Sequence, residues 1–140
     1  MVDPSMRRIH ILIIEDHVDT AEMLTVILGS EGYEVSQAHS AAEALDVFRD
    51  AAPEQPESGP DLLLLDLMLP DMDGSRIVQA LGRMLHRVPT VVVMSAKPLE
   101  AVKAEARAIG AAGLVRKPFE IETLLDTLRA AASGASASAS

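Results

Sequence analysis

The chain has no cysteine and no tryptophan, and its aromatic residues are one tyrosine and two phenylalanines. Without cysteine there are no disulfides, zinc–thiolate centres or thiol catalysis, which fits a reducing cytoplasm. With so few aromatics, the core has to be built from aliphatic side chains. No apolar run approaches the roughly 20 residues that a membrane span needs. The start, Met1 to Arg8, carries two arginines but no apolar segment behind them, so a signal peptide is not expected. Basic charge is also scarce: 12 Lys and Arg stand against 21 Asp and Glu, a formal charge of −9. Nucleic-acid binding needs basic patches to meet phosphates, so neither nucleic acid nor membrane is an expected partner.

What remains is 140 residues, 49% of them hydrophobic, the size of one domain with a real core. Two periodicities alternate along it. Ile9 to Ile14 is a short, β-branched apolar run and reads as a buried strand. Val18 to Glu31 places Ala21, Leu24 and Leu28 at helical spacing, with Gly32 positioned to end the helix. Tyr33 to Ala38 alternates as a second strand. Ser40, with Glu43 three residues on, is a capping-box signature that opens a second helix, with Leu45 and Phe48 on its inner face.

Ala52 to Pro60 holds three prolines and a glycine and reads as a loop. Asp61 to Leu65 is an unbroken aliphatic strand, as expected where helices cover both faces of a sheet. A turn through Pro70, Asp71 and Gly74 leads to a third helix marked by Ile77, Val78, Leu81 and Leu85. Thr90 to Met94 is a fourth strand, Leu99 to Ile109 a fourth helix stopped at Gly110, and Gly113 to Arg116 a fifth strand. Ile121, Leu124, Leu125 and Leu128 form the stripe of the last helix. Strict alternation of strand and helix predicts an α/β fold, a doubly wound five-stranded parallel sheet with five helices. The expected layout is an N-terminal extension over residues 1–7, one domain over 8–132 and a disordered Ser/Ala tail over 133–140, with no second domain after it.

In an open parallel sheet, ligands bind beyond the carboxyl ends of the strands. Strand one closes in Glu15 and Asp16, strand three in Asp66, strand four in Ser95, and strand five runs into Lys117. Each has an ordinary reading alone, since polar residues commonly close strands. Their joint occurrence on four strands points to a site. Carboxylates gathered in one pocket repel each other unless a cation neutralises them, and hard oxygen donors suit Mg2+. Such an ion offsets charge between an attacking carboxylate and an incoming phosphoryl group. Lys117 supplies a point charge and Ser95 a hydrogen bond to phosphoryl oxygens, leaving an aspartate as the nucleophile.

At these residues the chain resembles the receiver domain of two-component response regulators. The matching stretches run from Ile11 to Asp16, from Asp61 through Asp66 and Pro70 to Gly74, from Val91 to Ala96, and from Lys117 to Phe119. The resemblance implies a flavodoxin-like sheet in the order 2-1-3-4-5. It implies that Asp66 is phosphorylated by a histidine kinase or phosphotransfer protein. It also implies Mg2+ held by Asp16, by Glu15 mainly through water, by Asp66 and by the Met68 backbone carbonyl. Ser95 stands at the switch hydroxyl, Ala96 at the small neighbour that gives phosphate access, and Lys117 at the family lysine, with a cis bond to Pro118 common there. Leu114 departs from the family's usual Tyr or Phe, so an aliphatic packing change would replace the aromatic part of the switch. Ala112 and Gly113 replace the acidic pair often found before the fifth strand, and the 52–60 loop is a few residues longer than usual.

The resulting expectation is a cytoplasmic, stand-alone signalling switch, not an enzyme. Its output would pass to another protein through the helix 4–strand 5–helix 5 face, or it would act as a phosphate relay or sink. The alternative is a pseudo-receiver, an interaction module with this fold that never carries phosphate; Leu114 favours it, while Asp16, Asp66 and Lys117 speak against it. A two-step hydrolase would want a general acid two residues after Asp66, where Met68 stands, and no Gly-rich phosphate loop follows the first strand. His17 directly follows the acidic pair and has contact with the pocket open to it, but reads first as a loop residue, and His10, His39 and His86 read as structural. Lys97 and Pro98 either tune water access to a phosphoaspartate or form a plain surface loop, and turn chemistry accounts for Asp71 and Asp73.

Overall fold

The computed structural model describes residues 8–50, 59–85 and 88–138. The elements run β1 (His10–Ile14), α1 (Val18–Ser30), β2 (Glu34–Ala38), α2 (Ala41–Asp50), β3 (Leu62–Asp66) and α3 (Gly74–Met84). They continue with β4 (Thr90–Ser95), α4 (Leu99–Ile109), β5 (Gly113–Arg116) and α5 (Ile121–Ser138). All strand pairs are parallel, in the order β2-β1-β3-β4-β5. The expected doubly wound, flavodoxin-like sheet is therefore the observed one.

Although β1, β3 and β4 each carry an unbroken apolar run, successive residues point to opposite faces, so each strand feeds two cores. Leu12, Ile14, Leu63, Leu65, Val91 and Val93 pack with Phe48 of α2, Ile77 and Leu81 of α3 and Val102 of α4. Ile11, Ile13, Leu62, Leu64, Val92 and Met94 pack with Leu24 and Leu28 of α1 and Leu124 and Leu128 of α5. Complete burial of these aliphatic chains contributes about 1.5–3 kcal/mol each in transfer terms. The scarcity of aromatics is met by interdigitated Leu, Ile and Val.

Helix ends follow the local chemistry of the chain. At the end of α1, Gly32 takes a φ of 94°; its N–H donates to the Gly29 carbonyl and that of Tyr33 to the Leu28 carbonyl. This pattern satisfies two orphan carbonyls and needs the left-handed conformation that glycine adopts without strain. Gly110, with a φ of 79°, ends α4 in the same region of backbone space. The last helix runs to Ser138, its packed part supplying the costly nucleus. Most of the Pro-rich loop expected at 52–60, and His86, lie outside the described residues. Among the described residues no helix is long and apolar enough to cross a membrane.

Candidate functional site at the carboxyl end of the sheet

Register brings the strand ends level. Ile14 pairs with Leu65, Asp66 with Met94, and Ser95 with Arg116. The ladder runs one step further on each side of β4: Leu67 N–H donates to the Met94 carbonyl at 3.0 Å and Lys117 N–H to the Ser95 carbonyl at 2.9 Å. Lys117 is thereby fixed at the rim before the chain turns through a cis peptide bond to Pro118.

The Lys117 ammonium joins two carboxylates from different strands. Its Nζ lies 2.5 Å from Glu15 Oε1 and 3.0 Å from Asp66 Oδ2. Glu15 is wholly buried and Asp66 nearly so. A carboxylate taken out of water is costly unless paired and hydrogen-bonded, and both partners here meet that condition. Burial alone would lower the Lys117 ammonium, but its hydrogen bonds to Glu15 and Asp66, with their charges, outweigh burial and hold it above its ordinary value. The other oxygen of Asp66, Oδ1, accepts from the Met68 N–H at 2.9 Å, so the loop after β3 orients this carboxylate.

Asp16 is placed differently. Its Oδ1 is buried without a hydrogen-bond partner, and His17 Nδ1 lies 3.5 Å from it. His17 also donates its backbone N–H to Glu15 Oε2 at 3.2 Å and sets Nδ1 at 3.2 Å from that same oxygen. The structure thus joins Glu15, Asp66 and Lys117 directly and sets Asp16 beside them, next to the His17 ring. Three carboxylates against one ammonium leave a formal excess of two negative charges. That excess and the orphaned Asp16 oxygen fit a divalent cation at this acidic rim, where donor atoms of Glu15, Asp16 and His17 lie within 4.8 Å of one another.

Ser95 is fully buried on the neighbouring strand, and its Oγ accepts the Lys97 N–H at 3.0 Å. Among the described residues no hydrogen bond joins this hydroxyl to Asp66 or Lys117. Ala96 is exposed beside it, and Leu114 is half-buried, packed against the cluster on the α2–α4 side of the sheet. The Lys97 ammonium is engaged by Glu105 of α4 at 2.7 Å, which turns its side chain along that helix. His10 and His39 make structural hydrogen bonds to Ser36 and Gln37.

Sequence reasoning missed two residues. His17, read as a loop residue, lies against both acidic side chains; its position directly after the pair was the available signal. Asp71, read as a turn residue, reaches α2: its two oxygens accept the Ala41 and Ala42 N–H groups at 3.0 and 3.2 Å. Ser40 Oγ accepts the Glu43 N–H at 3.1 Å, so the first turn of α2 is served by two caps. The hydrogen bond from Ala41, opposed by burial and aided by that from Ala42, holds the Asp71 carboxyl below its ordinary value.

This fold and rim define a signalling module of the receiver type. The profile of the response regulator receiver domain matches residues 11–129, and the chain belongs to that family. Among curated proteins it is 38% identical over 126 residues to the uncharacterized transcriptional regulatory protein YkoG of Bacillus subtilis, covering 90% of this chain and 52% of that one. It is 28% identical over 119 residues to sporulation initiation phosphotransferase F of the same bacterium, covering 85% of this chain and 90% of that one. The chemotaxis response regulator CheY4 of Vibrio cholerae superposes with a TM-score of 0.76 at 28% identity, covering 89% of this chain and 99% of that one. The chain spans about half the length of several curated relatives it matches.

Proposed function

We propose that this receiver domain is a phosphorylation-driven switch that accepts a phosphoryl group on Asp66 from a histidine kinase or phosphotransfer protein. The observation that carries the reading is the Lys117 ammonium, held between the buried Glu15 and Asp66 carboxylates. An Asp66 oxygen attacks phosphorus, the O–P bond forms as the bond to the donor breaks, and an acyl phosphate results. Asp16, Asp66 and the Met68 carbonyl, with Glu15 mainly through water, would hold Mg2+, which would supply charge neutralisation at the transferring group.

The chain's own groups do the rest. Met68 N–H orients the nucleophile, and Lys117 is already hydrogen-bonded to Asp66, from where it reaches phosphoryl oxygens. Ser95 leaves the Lys97 N–H to meet the new phosphoryl oxygens, loosening the β4–α4 loop. Leu114, partly buried, is free to repack as that loop shifts. The α4–β5–α5 face then reads out the change to a downstream protein in the cytoplasm. The YkoG relative is named a transcriptional regulatory protein, and the MtrA relatives, of which this chain covers about half, are named DNA-binding response regulators. The charge argument against nucleic acid therefore applies to this acidic domain itself. A pseudo-receiver is the second reading, favoured by the aliphatic Leu114 on β5.

The test is intact mass after incubation with a small phosphodonor and Mg2+, for wild type and Asp66→Asn. One added phosphoryl group that requires Mg2+ and is absent from the variant supports the switch. A wild type that stays unmodified while binding Mg2+ leaves the pseudo-receiver.

A further inference from the structure

We propose that His17 is itself a ligand for the divalent cation, its Nδ1 joining the Glu15 and Asp16 carboxylates, and that it tunes the site toward borderline ions such as Co2+. The inference rests on the cation reading given above and adds to it a nitrogen donor and an ion preference.

Three features carry it. The first is distance: His17 Nδ1 lies 3.2 Å from Glu15 Oε2 and 3.5 Å from Asp16 Oδ1, and one donor atom from each residue falls within 4.8 Å of the others. Adjacent ligands around an octahedral ion with bonds of about 2.1 Å stand about 3 Å apart, so small side-chain movements suffice. The second is the buried, unpartnered Asp16 Oδ1, which a cation at this point would satisfy. The third is what the ring does not do. His17 occupies the N-cap position of α1 yet makes no side-chain hydrogen bond to that helix. Its backbone N–H is tied to Glu15 and its ring turns to the acidic pair.

Chemistry supplies the selectivity. Oxygen donors alone suit Mg2+, whereas imidazole raises affinity for first-row transition ions in the order Mn2+, Fe2+, Co2+, Ni2+. The ring is 74% exposed, so ordering it on an ion requires no rearrangement of the core.

Electron spin echo of the full chain loaded with Mn2+ tests the contact directly. The expected result is nitrogen modulation from a coordinated imidazole in wild type and its loss in His17→Gln. Modulation that is absent from Mn2+-loaded wild type, or that persists in the variant, overturns the proposal and leaves the oxygen-donor site intact. Calorimetry reads the selectivity: His17→Gln should weaken Co2+ about tenfold while Mg2+ changes less than about twofold. Equal weakening of both ions would make His17 only a support for Glu15 and overturn the proposal. Failure of wild type to bind any of the three ions overturns the cation reading as well.

Discussion

Glu15 and Asp71 are both carboxylates near the carboxyl end of the sheet, and they are held by different means. Glu15 is fully buried and hydrogen-bonded to an ammonium 102 residues away, whereas Asp71 is exposed and accepts backbone N–H groups of a helix 30 residues away. The first arrangement stores an uncompensated charge that appears as soon as its partner moves. The second does not, because water replaces backbone donors at little cost. A rim that must respond to an incoming phosphoryl group gains from the first kind of carboxylate. The loop that positions Asp66 gains from the second, since Asp71 ties it to the start of α2. Breaking one should be costly and the other mild.

The largest effect expected is for Lys117→Met in the presence of a chelator. Stranding the buried Glu15 should cost about 3 kcal/mol, read as a lower urea midpoint at unchanged slope. Adding Glu15→Gln should recover much of the loss, because the double variant leaves no unpaired charge at that position. A single variant within about 0.5 kcal/mol of wild type would show that Glu15 does not depend on the ammonium.

Asp71→Ala should cost less, about 1 kcal/mol, the ordinary value of a helix cap. It shares no partner with Lys117, so the two losses should add to within about 0.5 kcal/mol. A marked departure from additivity would mean that the loop after β3 transmits strain between Asp66 and α2, and the two regions would then be one unit.

Much of this was legible in the sequence because each signal was local. Aliphatic runs and helical stripes placed β1, α4 and β5 within a residue of their observed bounds. The residues closing the strands placed Glu15, Asp66, Ser95 and Lys117 on one rim, since a parallel sheet aligns its carboxyl ends. What escaped was tertiary or rotameric. Asp71 looked complete as a turn residue, and Ser40 with Glu43 looked like a complete cap, so nothing along the chain called for a contact between them. The ring of His17 could have faced water or the acidic pair, and the backbone at the start of α1 decides between those. The Lys97 ammonium had two uses open to it, and Glu105, one turn into α4, took it.

The smallest effects separate the two carboxylates by pH. Asp71 has a folded value below its ordinary 3.8, so its contribution is complete above that pH and is lost as pH falls through the lower folded value. Lys117 has a folded value above its ordinary 10.5, so its contribution is complete below that pH and is lost as pH rises through the higher folded value. The stability difference between wild type and Asp71→Ala, followed by urea midpoints, should therefore begin to shrink only below pH 3.8 on the acid limb. The difference between wild type and Lys117→Met should begin to shrink only above pH 10.5 on the alkaline limb. A Lys117 contribution that fades below 10.5 would mean that burial outweighs the two carboxylates, and the ammonium would then be a strained guest at the rim instead of its anchor.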